Sequence, residues 1–100
     1  MFNCSYGIIM ERIKHIWYDS SVINTEELEQ KLQSLQYPFF RINKNNLLVH
    51  ANISASVLYN QLGVLVDKKG IFIGGFDSTD YWGYMDGDLW NWIKEHDNTR

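Results

Sequence analysis

Residues 12–19 read R-I-K-H-I-W-Y-D. Ile16 and Tyr18 alternate with His15, Trp17 and Asp19, and a two-residue repeat of β-branched and aromatic side chains suits a pleated, half-buried strand. If Ile16 and Tyr18 face a layer of helices, Trp17 and Asp19 point together to the opposite face. The strand then delivers a carboxylate and an indole to its carboxyl end, and that edge is the first place to look for function.

Outward from this strand, S-S-V-I-N-T-E-E-L at 20–28 reads as a loop closing into a helix. Asn24 is its cap, Glu27 falls where a reciprocal capping box needs it, and Ile23 is placed to staple onto Leu28. The helix is expected to run to about Gln36, with Leu28, Leu32 and Leu35 on one face. Pro38 stops it and opens a second strand, P-F-F-R-I-N, where a leading proline suits a sheet edge. Asparagine tolerates positive φ, so Asn43 to Asn46 reads as a hairpin into a third strand, Leu47 to Asn52, apolar enough to be central. A short helix follows, capped by Ser54, with Val57, Leu58 and Leu62 inward and Gly63 as its stop. The segment V-L-V-D-K-K-G at 64–70 reads as a loop or a bent extension. Gly70 to Phe76 is the fourth strand, and its Gly74-Gly75 pair suggests a bulge or a close backbone approach. In the closing helix Asp86 or Asp88 serves as cap and Leu89, Trp90 and Ile93 share an apolar face, which is free to reach a second subunit.

The order β-α-β-β-α-β is the split pattern of a ferredoxin-like sandwich. The fold class is therefore α+β: an antiparallel four-stranded sheet, two helices on one face and an extra C-terminal helix, with the first and third strands as the central pair.

One hundred residues, 45% hydrophobic and 15% aromatic, suffice for one core and are too few for two domains. Residues 1–100 are read as one domain, with 1–11 as an N-terminal extension, either a short extra strand or sequence upstream of a start at Met10. A net charge of -3 argues against binding nucleic acid through a broad basic surface, and leaves a locally basic groove or a basic partner open. Cys4 is the only cysteine, which excludes an internal disulfide and a thiolate metal cluster and fits a reducing cytoplasm. No apolar run approaches the roughly 20 residues that cross a bilayer, and the first nine residues lack the regions of a secretory signal.

I-W-Y-D at 16–19, L-L-V-H-A-N-I-S-A at 47–55, I-F-I at 71–73, Y-W-G at 81–83 and the closing L-W-N-W-I-K-E-H resemble the small SinR-type proteins, relatives of the CRISPR-associated Cas-two endoribonucleases and of VapD. The resemblance runs from about Arg12 to His96. It implies a ferredoxin-like protomer that pairs about a two-fold axis, with the family's strand-end aspartate carried onto Asp19. In nuclease members, such aspartates from two subunits hold a divalent metal between them.

Two carboxylates a few ångströms apart cannot both ionise cheaply, so a pair of Asp19 side chains must take up a proton or recruit a cation. Mg²⁺ suits oxygen ligands and retained water, and can activate water against the phosphodiester of an RNA. The structural alternative is that Asp19 caps the following turn or pairs with Lys14 or Arg12. His15 and His50, on the two central strands, are candidate general bases, against a role as hydrogen-bonded sheet histidines. His96, near the chain end, carries little weight. Asp77, Asp80, Asp86 and Asp88 form an acidic group that lacks the ligand spacing and closing glutamate of a calcium loop. Trp17, Trp82, Trp90 and Trp92 are core or dimer-contact residues, or else stack bases or anchor a partner. Trp90 and Trp92 cannot share one side of a helix.

Two functional classes follow. One is a homodimeric, Mg²⁺-dependent endoribonuclease using Asp19. The other is a non-catalytic interaction factor, such as an antitoxin, immunity or anti-defence protein, that meets a basic protein partner.

Overall fold

The strand at the centre of the fold, β1 (Ile13–Tyr18), pairs on both sides: antiparallel with β3 (Asn46–His50) and antiparallel with β4 (Ile71–Phe76). β2 (Phe39–Asn43) closes the other border, giving the sheet order β2-β3-β1-β4. The helices are α1 (Thr25–Ser34), α2 (Ala55–Leu62) and α3 (Gly87–His96). This computed structural model describes residues 11–63, 69–77, 82–83 and 85–96. The readings of the N-terminal extension, Cys4, the loop through 64–68 and Asp80 lie outside the described residues. The fold is the expected ferredoxin-like α+β sandwich with an added C-terminal helix.

Period-two alternation gives β1 two different faces. Ile16 and Tyr18, both fully buried, meet Leu28 and Leu32 of α1, Leu58 and Leu62 of α2, and Leu47 and Val49 of β3. Each such side chain taken from water contributes about 1.5–3 kcal/mol, so this layer carries most of the packing energy. Asn24 caps α1 by accepting from the Glu27 amide at 2.9 Å, and Ile23 is buried in the same cluster as Leu28. The helix ends before Pro38 is reached. Gln36 adopts φ 64°, its amide bonds to Gln33 O at 2.9 Å and that of Tyr37 to Leu32 O at 3.1 Å, a Schellman closure. Ser54 caps α2 through the Val57 amide at 3.2 Å.

Three expectations need correction. Val57 is not inward: it is 43% exposed, while Leu58 and Leu62 are buried, because residues one apart on a helix lie about 100° around the axis. The hairpin between β2 and β3 does not use positive φ, since Gln36 is the only non-glycine with φ above zero among the described residues. Its asparagines work through side chains: Asn43 Oδ1 accepts from the Asn45 amide and from Asn46 Nδ2, both at 2.9 Å. The Gly74-Gly75 pair is no bulge either, because the β1–β4 register runs through it without a shift. The irregularity lies between Arg41 and Asn43 on β2. A Cβ at Gly75 would meet the Glu11 carboxylate, the end of a flexible side chain that can move aside, and not a neighbouring backbone.

α3 lies on its own sheet. Leu89 and Ile93 bury against Ile13 and Leu48, with Phe40, Ile42, Phe76, Trp90 and Trp92 around them. The second face of the sheet is therefore covered at the Ile13 end of β1.

Candidate functional site

The open part of that second face is at the other end of β1. Trp17 is 41% exposed and its β4 partner Phe72 67% exposed. Asn46 stands opposite Trp17 on the β3 side, and its Oδ1 lies 2.8 Å from His15 Nε2. Large exposed aromatic pairs on a sheet are uncommon in monomers that need only to stay folded.

Asp19 stands one residue beyond β1, beside this surface. Its amide donates to Gly70 O at 2.7 Å, and its carbonyl accepts from Val22 and Ile23 at 3.0 and 2.9 Å. The position of the residue is thus fixed by three backbone bonds. Its carboxylate Oδ1 accepts from Ser21 Oγ at 2.6 Å and from the Ser21 amide at 3.0 Å. The Ser21 hydroxyl, with the Ser21 amide second, holds the Asp19 carboxyl below its usual 3.8. Both bonds favour the charged form, so the group is a carboxylate at neutral pH. Oδ2 has no hydrogen-bond partner among the described residues. The turn-capping expectation is met, and the ion pairs with Arg12 or Lys14 are not formed. Those residues sit at the far end of β1, where buried Lys14 donates to the carbonyls of Glu11 and Ala51. Burial lowers the Lys14 pKa, with Glu11 acting the other way.

Three residues at this site escape a sequence reading focused on titratable groups. Ser21 is foreshadowed by the Asp-x-Ser spacing, which forms side-chain-to-backbone turns. Asn45 closes the same corner, its carbonyl accepting from the Tyr18 amide at 2.9 Å and its Oδ1 from the Ser20 amide at 3.3 Å. Gly70 has φ 112°, and a Cβ there would stand 3.1 Å from Asp19 Cβ. Only glycine adopts that backbone without strain. Gly70→Ala is therefore expected to cost about 1–3 kcal/mol and to displace Asp19, as thermal unfolding and the chemical shifts of the Asp19 and Ser21 amides will show.

The three sequence candidates do not converge within a protomer. His15 precedes Asp19 by four residues, about 13 Å along a strand at 3.3 Å per residue. His50 pairs with Ile13, farther still from Asp19. It is packed beneath α3, its ring centroid 5.5 Å from that of His96. Among the described residues, no three His, Cys, Asp or Glu side chains group as a metal site. Asp19 offers one carboxylate, and a cation held by Asp19 needs further ligands from a second molecule or from water. Of the acidic group, Asp86 precedes α3 and accepts the Leu89 amide through its carbonyl at 3.1 Å, which is a helix start. Trp90 and Trp92 flank the Leu89–Ile93 stripe, Trp92 against Phe40 and His96. No helix among the described residues is long and apolar enough to cross a membrane. Compared with known proteins, the chain matches no family profile, no curated protein and no solved structure.

Proposed function

We propose that this chain works as a homodimer related to the SinR-type, Cas-two and VapD proteins, joined through the Trp17–Phe72 face, and that the two Asp19 carboxylates at its seam hold Mg²⁺ for RNA hydrolysis. The observation that carries the proposal is the exposed Trp17–Phe72 pair next to an ionised, anchored carboxylate. Apolar area that a monomer leaves in water is what association buries. A two-fold axis through that surface brings Asp19 near its copy. The Ser21 bonds bias each carboxyl towards charge, so the pair is resolved by a cation rather than by a shared proton. His15 and His50 lie too far from Asp19 to take part in this chemistry within a protomer, and a Mg²⁺ ion held by the two Asp19 carboxylates would supply activated water against the phosphodiester.

A second reading is favoured by the charge around the same surface. The first turn of α1, with Glu26 and Glu27, lies on the helical face of the sheet, where the Tyr18 hydroxyl is 2.7 Å from Thr25 Oγ1, so the acid that stands beside the aromatic pair is Asp19. An exposed aromatic pair with the Asp19 carboxylate at its edge, on a chain of net charge -3, suits a basic protein partner, without catalysis.

Sedimentation at rising protein concentration separates the two. Under the first reading the wild type is dimeric, and Trp17→Ser with Phe72→Ser shifts it to monomer while leaving the fold intact. A monomeric wild type whose state the double substitution does not alter counts against the dimer and favours the second reading.

A further inference from the structure

The end of α3 is fastened to the sheet by a pair of histidines. His50 lies on the covered face of β3, its amide bonded to Pro38 O at 2.8 Å, and its side-chain Nε2 is buried with no hydrogen-bond partner among the described residues. The His96 ring in the last turn of α3 faces it at 5.5 Å. That ring is in turn held on two sides: Nδ1 is 2.8 Å from Trp92 O, and its plane stacks on the Trp92 indole at 4.2 Å. Trp92 packs on Phe40 of β2 at 6.2 Å. With Nε2 buried and unpaired, a neutral His50 ring fits this half-buried position, whereas an imidazolium there needs water or an anion at Nε2.

The geometry points to a pH-operated latch: protonation of His50 releases the last turn of α3 from the sheet and uncovers Ile13, Phe40 and Leu48. The latch does not depend on the function proposed above. The charged groups that act on His50 from the neighbouring elements are unfavourable to a further proton: Arg12 just before β1, Lys14 on β1 and His96 from α3. On β2, Arg41 belongs to the opposite face, paired with Glu29 at 2.6 Å. The Glu11 carboxylate acts on Lys14, and Lys94 and Glu95 lie in the same turn of α3 as His96. Burial first, then His96, Arg12 and Lys14, lowers His50 below the usual 6.5. In the released state the ring regains water and its ordinary proton affinity. The closed state binds fewer protons than the open one, so its advantage is complete above about pH 6.5 and is lost as pH falls from there through the closed-state pKa.

Hydrogen exchange followed by mass spectrometry tests this, with rates corrected for the intrinsic effect of pH. Between about pH 7.5 and about pH 5, a range spanning the imidazole titration, opening of residues 87–96 in the wild type rises several-fold while α1 stays protected. His50→Leu, which fills a similar space without a titratable atom, removes the response; His96→Gln, which keeps His50, retains it at reduced amplitude. An acid response that survives His50→Leu overturns the latch. So does loss of α1 and α3 protection at one common midpoint.

Discussion

Asp19→Asn is expected to abolish Mg²⁺-dependent RNA cleavage while leaving the protein folded. The substitution keeps an oxygen where Oδ1 accepts from the Ser21 hydroxyl and amide, and the backbone bonds to Gly70, Val22 and Ile23 are untouched. What disappears is the charge. A divalent cation with oxygen ligands draws its affinity from anionic donors, and in a symmetric dimer one substitution removes both. Loss of a group merely supporting a metal ligand costs about 10–100-fold, so loss of the ligand itself should cost about 100-fold or more in cleavage rate. The measurement is the cleavage rate of a single-stranded RNA over a Mg²⁺ titration, beside circular dichroism and thermal unfolding. Chelation of the metal should silence the wild type to the same level. An Asp19→Asn variant that still cleaves at the wild-type rate would place the cation elsewhere. A wild type with neither activity nor response to Mg²⁺ would leave the acidic, aromatic surface as a docking face for a basic partner.

The reading of Asp19 rests on a strand that local sequence defines well. I-K-H-I-W-Y has the period of a strand, its two sides differ in character, and it is bounded by an Asp-Ser-Ser turn, so both its existence and its direction are legible. Its central place follows from topology once four strands and two helices are counted. The asparagine and serine caps of α1 and α2 are equally legible, because each cap bonds within three residues of itself. What stays hidden depends on contacts distant in sequence. Gly70 meets Asp19 from 51 positions away, and nothing in K-K-G announces that a side chain would collide there. His96 reads as a terminal residue, yet it faces His50 across the α3–sheet contact. His15 and His50 share a face, as their strands suggest, but pairing offsets them along the sheet. Hydrophobic pattern also does not say which copy of the sheet α3 will cover, and the structure shows that it covers its own.

Leu58→Ala tests the other half of the fold, the layer that keeps β1 in place. Leu58 is fully buried in α2, within the cluster that joins Ile16 and Tyr18 to Leu28 and Leu62. Truncation forfeits the transfer energy of the lost methyl groups and leaves a cavity among neighbours pinned by both helices and the sheet. The expected loss is about 2–5 kcal/mol, against a total stability of about 5–15 kcal/mol for a domain of this kind. Val57→Ala is the internal control. It removes apolar atoms one residue away, from a side chain 43% exposed, and replaces a β-branched residue with a better helix former, so it should fall within about 0.5 kcal/mol of wild type. Denaturant titration of the two variants at fixed protein concentration decides the matter, because association adds to apparent stability. A large effect at both positions would mean that Val57 is covered by a partner, and a small effect at both would mean that α2 does not pack on β1 as described. A large effect at Leu58 alone fixes the rotation of α2, and with it the side of the sheet on which Ile16 and Tyr18 lie. Trp17 is then left on the face that looks outward.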